Sequence, residues 1–348
     1  MQSNYFTWNV DPVAFNLGSL HLPFPVAIWG IIAAFIFIYL GYQKLVPDDL
    51  PPHKEPDIAA WKMWSLIIGS LVLGQLIFMV LPSPTITQLG PIRPRWYGFL
   101  FASSFIVGFW FTQRMFKHAG RPAEEVDQLL TYMIIATVVG ARLGHVIFYD
   151  LMYYLRHPAE IIAIWHGGLA SHGAAIGIII AMYLFTKKKK DMSFLWLADR
   201  VVVVVAIAGA FIRTGNFFNS EIVGKPTDVP WAIVFPRAHV PHPGLPRHPS
   251  MLYEAILCIL AFILIWTIYK KYKNSPPEGS LFGIFMVLVF GGRFFLEFFK
   301  EQQAHFATGV LNMGQWLSIP LVIAGLWLLL KKVDWSKPAP LKTRASET

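Results

Sequence analysis

The sequence predicts an all-α polytopic membrane protein with about nine transmembrane helices, the N-terminus outside and the C-terminus inside. Three observations lead there. Of 348 residues 55% are hydrophobic and 14% charged, where soluble domains carry about 25% charged residues. Many apolar runs reach the roughly 20 residues that cross a hydrocarbon core. The basic residues between those runs are shared unequally between the two sides, as cytoplasmic loops require.

The apolar runs lie at 26–43, 60–82, 96–116, 128–150, 168–186, 195–213, 251–269, 279–299 and 311–330. Glycine and proline inside several of them do not exclude a membrane helix, because neighbouring helices can satisfy the freed backbone groups. An odd number of spans puts the termini on opposite sides. With the C-terminus inside, the inner segments hold 18 lysines and arginines and the outer ones 8, which sets the orientation. The first segment, MQSNYFTWNVDPVAF, lacks the basic region of a cleaved signal peptide, so the first span is expected to stay in the mature protein. The chain divides into residues 1–95, an N-terminal arm with two helices; 96–332, a seven-helix core with a Pro- and Gly-rich outward cap at 214–250; and 333–348, a cytoplasmic tail.

The net charge of +9 is explained by the inner loops, and no basic groove or stacking motif points to nucleic acid. The lone Cys258 sits among Ile, Leu and Ala, where a small apolar role accounts for it. No HExxH, paired cysteines or carboxylate cluster offers metal ligands, and no cofactor is implied.

Ionisable residues within spans are expensive and are functional candidates by default. Arg142 shares a helix face with His145 and Tyr149 in ARLGHVIFY; snorkelling to the interface is the alternative to ligand contact. His172 lies among small residues in GGLASHGAAIG, where backbones can approach closely; a structural histidine is the alternative. Arg213 begins RTGNFFNSEIVG, a donor-rich run with Asn216 and Glu221 that reads as irregular backbone lining a cavity. Arg293 and Glu297, four apart in GGRFFLEFF, can pair along one helix face. The Asp199–Arg200 pair reads as a local salt bridge at the inner end of its span. Arginine suits a phosphodiester, because its planar fork donates two hydrogen bonds and stays charged when desolvated. These residues point to an anionic lipid head group at the outer face.

The ordered set DPVAFNLG, WYG at 96–98, GARLGHVIFYD, GGLASHGAAIG, RTGNFFNSEIVG, RHPSMLYE, RFFLEFF and MGQWLSIP resembles the bacterial prolipoprotein diacylglyceryl transferases. That resemblance implies a multi-pass protein of the bacterial inner membrane, with its active site on the outer side. It implies transfer of a diacylglyceryl group from phosphatidylglycerol to the lipobox cysteine thiol of a prolipoprotein signal peptide, releasing glycerol phosphate. Carried over by position, Arg213 binds the lipid phosphate, Arg293 is a second essential arginine held by Glu297, and His172 is the candidate base for the thiol. Tyr97, Asn216, Glu221 and Gly224 match further functional positions of the family, and Arg142 is a candidate for lipid contact.

Three features depart from the family pattern. Ile212 stands where glycine usually precedes the first arginine, and Val289 where a tyrosine usually lies four residues before the second, with Tyr253 a possible substitute for its hydroxyl. The runs 26–43 and 60–82 are additions to a seven-span core. A transporter for an anionic solute would also place arginines in a bundle, although no inverted repeat is visible. A structural membrane subunit would use the same arginines as interfacial anchors.

Overall fold

The structure, a computed structural model, describes residues 5–16, 20–27, 33–34, 36–41, 62, 65–73, 85–89, 93–164, 167–189, 191–301 and 311–336. Eight helices follow Arg95: α1 (Trp96–His118), α2 (Ala123–Tyr149), the short α3 (Leu151–Arg156), α4 (Ser171–Lys188), α5 (Phe194–Phe218), α6 (Ser250–Lys271), α7 (Ser280–Phe299) and α8 (Met313–Lys331). Five of them, α2, α5, α6, α7 and α8, are long and apolar enough to cross a membrane.

The chain forms two compact units, residues 1–12 with 96–348, and residues 13–95. The arm as far as Pro12 thus belongs with the helical core rather than with the segment Val13–Arg95. Strand β1 (Phe6–Thr7) pairs in parallel with β4 (Ile233–Val234), which pairs antiparallel with β5 (Pro246–Arg247). Trp8 then stacks on Phe217 at 4.1 Å and closes a small apolar core around Val223, Phe235 and Met251. The arm leaves the core unit at Pro12 and the chain re-enters at Trp96, whose N–H donates to the Pro12 carbonyl at 3.0 Å.

In the second unit, β2 (Leu20–Ala27) pairs antiparallel with β3 (Thr85–Leu89), with a register irregularity between His21 and Val26. Helical backbone was expected from residue 26, yet Val26 and Ala27 are strand. Pro23 and Pro25 explain the delay, because each removes an N–H and drives the preceding residue extended. Residues 33–34, 36–41, 62 and 65–73 are helical, and Gly41 packs directly on the Leu66 side chain. The remainder of the runs 26–43 and 60–82 lies outside the described residues.

Small residues set the helix crossings of the core. A Cβ on Gly144 of α2 would lie 2.6 Å from the Gly173 Cα of α4, and one on Gly140 would lie 2.5 Å from the Gly173 carbonyl. The glycine-rich approach anticipated around His172 is therefore a backbone-to-backbone contact. Gly108 of α1 receives Val204 of α5, and Gly209 of α5 receives the Cys258 sulfur of α6.

At the other end, Asp199 does not make the local salt bridge expected with Arg200. Its carboxylate accepts from the Gly279 and Phe282 N–H groups at 2.6 and 2.8 Å and so caps α7. Arg200 donates to the Trp196 carbonyl at 2.8 Å and lies 3.4 Å from that ring. Adjacent helical residues point in different directions, which separates the two partners.

Candidate active site

Helix α5 continues to Phe218, so the run from Arg213 to Phe218 is helical rather than irregular as expected. Irregular backbone begins beyond it, where Ser220 and Ile222 take positive φ values of 54° and 58°. Arg213 consequently projects from a regular helix, and Asn216 one turn on shares its face. The Arg213 Nε pairs with Glu254 Oε2 of α6 at 2.8 Å, and Nη1 reaches Asn216 Oδ1 at 3.4 Å. Asn216 donates in turn to Glu221 at 3.1 Å, and Asn219 donates to the other oxygen of that carboxylate at 3.1 Å.

Glu254 also faces Lys300 at 3.4 Å, and Lys300 faces Glu297 at 3.0 Å. The lysine is 4% exposed, so a buried carboxylate, a partly buried one and two cations alternate across α5, α6 and the end of α7. Burying any one of these charges alone would be costly, and their alternation offsets that cost. Gly314 of α8 makes room for the Glu297 carboxyl, whose carbon would lie 2.5 Å from a Cβ at that position. Tyr97 enters from α1 against Gly215, with its ring 2.8 Å from where a Cβ would stand, within electrostatic reach of Glu221 and Arg213.

Gly224 holds the polar cap over this network. Its N–H donates to the His248 carbonyl at 2.9 Å, and a Cβ would lie 2.6 Å from that oxygen and 2.7 Å from the Phe299 carbonyl. Nearby, Tyr253 accepts from Trp231 Nε1 at 2.7 Å and lies 3.1 Å from His248 Nδ1. Burial pushes the His248 pKa below the usual histidine range. An apolar cavity of about 240 Å³ opens between α1, α2 and α5, lined by Phe105, Gly108, Leu129, Met133, Val205 and Ile212. The lining reaches Ile212, the residue before Arg213 in the chain.

The prolipoprotein diacylglyceryl transferase family model matches residues 84–331. The chain belongs to this family. It is 49% identical over 248 residues to the phosphatidylglycerol–prolipoprotein diacylglyceryl transferase of Tolumonas auensis, covering 71% of this chain and 94% of the relative. It is 46% identical over 252 residues to the enzyme of that name from Chloroherpeton thalassium, covering 72% and 92%. It is 42% identical over 250 residues to that of Porphyromonas gingivalis, covering 68% and 88%. As a member of the prolipoprotein diacylglyceryl transferases, the chain is a multi-pass membrane enzyme.

The residues that sequence reasoning carried over from the family fall into two groups. Tyr97, Arg213, Asn216, Glu221, Gly224 and Glu297 belong to the network just described. Arg142 and His172 lie instead at the α2–α4 crossing. Arg142 is 4% exposed and donates to the backbone carbonyls of Glu160, Ile161, Gly167 and Gly168, with its guanidinium 5.1 Å from the Tyr154 ring. Through these bonds it clamps the segment leading into α4. His172 is exposed at the first turn of α4, its ring 5.1 Å from Phe148 and 6.0 Å from Tyr149. Among the described residues no hydrogen bond or ion pair joins it to the Arg213 network.

Arg293 differs from expectation as well. Its expected partner Glu297 starts a 3₁₀ turn and is taken by Lys300, leaving the buried Arg293 Nε without a partner among the described residues. Helix α7 is π-wound over Met286–Phe290, immediately before Gly291 and Gly292, and such bulges are frequent at functional sites. Val289 lies in that π segment and packs on the apolar core. The Tyr253 hydroxyl, considered as a substitute for the missing tyrosine, is engaged by His248 and Trp231. Lys300 is not among the residues that the sequence singles out. Its spacing three residues after Glu297 was the available signal.

Proposed function

We infer that this chain transfers the diacylglyceryl group of phosphatidylglycerol to the lipobox cysteine thiol of a prolipoprotein, with Arg213 as the phosphate-binding group. The observation that carries the assignment is the setting of Arg213. Glu254 pairs with its Nε at 2.8 Å, Asn216 lies 3.4 Å from Nη1, the side chain stays 21% exposed, and Ile212 before it in the chain lines an apolar cavity. An oriented guanidinium that stays partly exposed is preorganised for a phosphodiester, while the cavity takes acyl chain.

In the reaction the thiolate attacks the glycerol carbon bearing the phosphate ester. The new carbon–sulfur bond forms as the carbon–oxygen bond breaks, and the electron pair leaves on the phosphate oxygen of glycerol phosphate. Negative charge grows on that oxygen, where Arg213 and the unpartnered Nε of Arg293 can stabilise it. The thiol proton must be removed first, and His172, exposed at the α4 start, is the proposed base. Arg142 then acts as a positioning residue, because the segment it clamps ends at α4. Tyr97, Asn216 and Glu221 line the site, and Glu297 acts through Lys300.

We propose nine spans, with the N-terminus outside and the C-terminus inside, which would put this site at the outer face of the bacterial inner membrane. Helices α1 and α4, at 23 and 18 residues, are proposed as spans beside the five already described, and the runs 26–43 and 60–82 as the remaining two. The purified chain incubated with phosphatidylglycerol and a lipobox peptide tests the assignment. Thioether-linked diacylglyceryl peptide and equimolar glycerol phosphate support it. Their absence under conditions where the Tolumonas auensis relative yields both products refutes it. His172→Gln is expected to slow transfer and change the pH profile, and an unchanged profile removes His172 as the base.

A further inference from the structure

The corner between α1 and α2 carries charges that the reaction site does not use. We propose that this corner binds the phosphate of a second anionic phospholipid, held by Arg114 and Lys117 on the face opposite the reaction site. The assignment of that face rests on the orientation given above, whereas the binding itself does not depend on the transfer reaction.

The corner encloses a hollow of about 470 Å³ whose polar lining is Gln113, Arg114, Lys117 and Arg121, with no carboxylate. Arg121 is already neutralised, lying 2.5 Å from Glu125 and 3.0 Å from Asp191. Glu125 is further occupied by Lys189 at 3.3 Å. Arg114 and Lys117 are exposed and have no carboxylate partner among the described residues. Two free cations thus face one concave space, which ordinary cytoplasmic loop charges need not do.

A second observation comes from α2. This 27-residue helix starts after Pro122, which supplies no side-chain cap, and Ala123 at its first position lines the hollow. The positive dipole end of α2 therefore borders the same space as the two cations. Glu124 and Glu125 stand in that first turn, but Glu125 is spent as described and Glu124 does not line the hollow.

The third observation decides what kind of phosphate fits. Ile106, Trp110 and Arg114 are spaced four apart and share one face of α1. Ile106 is 71% and Trp110 52% exposed, and the Arg114 guanidinium lies 5.7 Å from the Trp110 ring. Apolar surface, an interfacial aromatic and cations follow one another along the helix. Acyl chain, glycerol and phosphate follow one another in the same order in a phospholipid. Free phosphate would need only the last of these.

The test uses the full chain purified in detergent, with retained phospholipid counted by native mass spectrometry. Phosphatidylglycerol and phosphatidylcholine are offered in parallel, with inorganic phosphate as competitor. The double variant Arg114→Gln/Lys117→Gln is expected to lose roughly thirtyfold in affinity for phosphatidylglycerol at this site, with melting temperature and transfer activity unchanged. Trp110→Ala is expected to weaken lipid binding and leave inorganic phosphate binding intact. Arg213→Ala keeps this lipid while losing the one at the reaction site, so failure here and failure of the transferase reading are distinguishable. Should the double variant fold poorly, Lys117→Gln alone and the salt dependence of wild-type binding give the same comparison. Equal retention in wild type and variant overturns the proposal. So does equal retention of phosphatidylcholine, or binding of inorganic phosphate without preference for the lipid.

Discussion

Lys300 sits between Glu297 at 3.0 Å and Glu254 at 3.4 Å and is 4% exposed. Replacing it with methionine keeps the volume of the stem and removes the charge. Glu254 retains Arg213, but Glu297 is left without its partner in a partly buried setting. Breaking a buried pair typically costs about 3–5 kcal/mol, and the surviving Glu254–Arg213 pair places the expected loss near the lower end, about 3 kcal/mol. Glu254 is then left to Arg213 alone and draws the guanidinium toward itself, away from the position it holds while the carboxylate is shared, so transfer should fall by about 10²-fold, the scale of one lost electrostatic contact in a transition state. Denaturant unfolding in detergent measures the first effect, and thioether formation the second. A Lys300→Met/Glu297→Gln double variant should recover part of the stability, with a coupling of at least about 1 kcal/mol. Lys300→Arg should restore activity partly. A Lys300→Met protein with wild-type unfolding and wild-type transfer would refute the argument that alternating charges hold Arg213 in place.

Three further outcomes are expected. Arg142→Met should destabilise the protein by about 3 kcal/mol, because the carbonyls of residues 160, 161, 167 and 168 lose a charged donor at a part-buried site; phosphatidylglycerol KM should be little changed if Arg142 only clamps the chain, and a large KM effect at normal stability would mark it as a ligand contact. Gly224→Ala should loosen the cap and lower activity, since the new methyl would meet the His248 and Phe299 carbonyls; unchanged melting and transfer would contradict the close packing. The depressed His248 pKa gives a direction in pH: below about 6.5 an unfolded chain takes up a proton that the folded cap resists, so stability should decline as pH falls through that range. Trp231 fluorescence during acid titration reports it, and His248→Asn should remove that part of the decline.

Sequence and structure agree where a single local rule governs the residue. The apolar runs from 96 to 330 became helices because length and composition decide that much. The small residues flanking His172 were legible as a place of close backbone approach, but the partners, Gly140 and Gly144 of α2, were not. The partners of charged residues were not legible. Arg293 and Glu297 have the spacing of a helical pair, but a π segment and a 3₁₀ turn rewind α7 and hand Glu297 to Lys300. Arg142 was read through helix position alone, whereas its carbonyl partners lie 18 to 26 residues away in the chain. The pairing of β1 with β4 joins residues more than 200 positions apart, and two-residue strands leave no periodic trace.

The account rests on Arg213 as the group that receives the lipid phosphate. Its most direct test is transfer by purified Arg213→Ala, compared with wild type over a range of phosphatidylglycerol concentrations, with melting measured on the same samples. The account predicts loss of thioether product by about 10²-fold or more with melting close to wild type, because Glu254 keeps Lys300 as its partner. Wild-type transfer from a folded Arg213→Ala protein would contradict it.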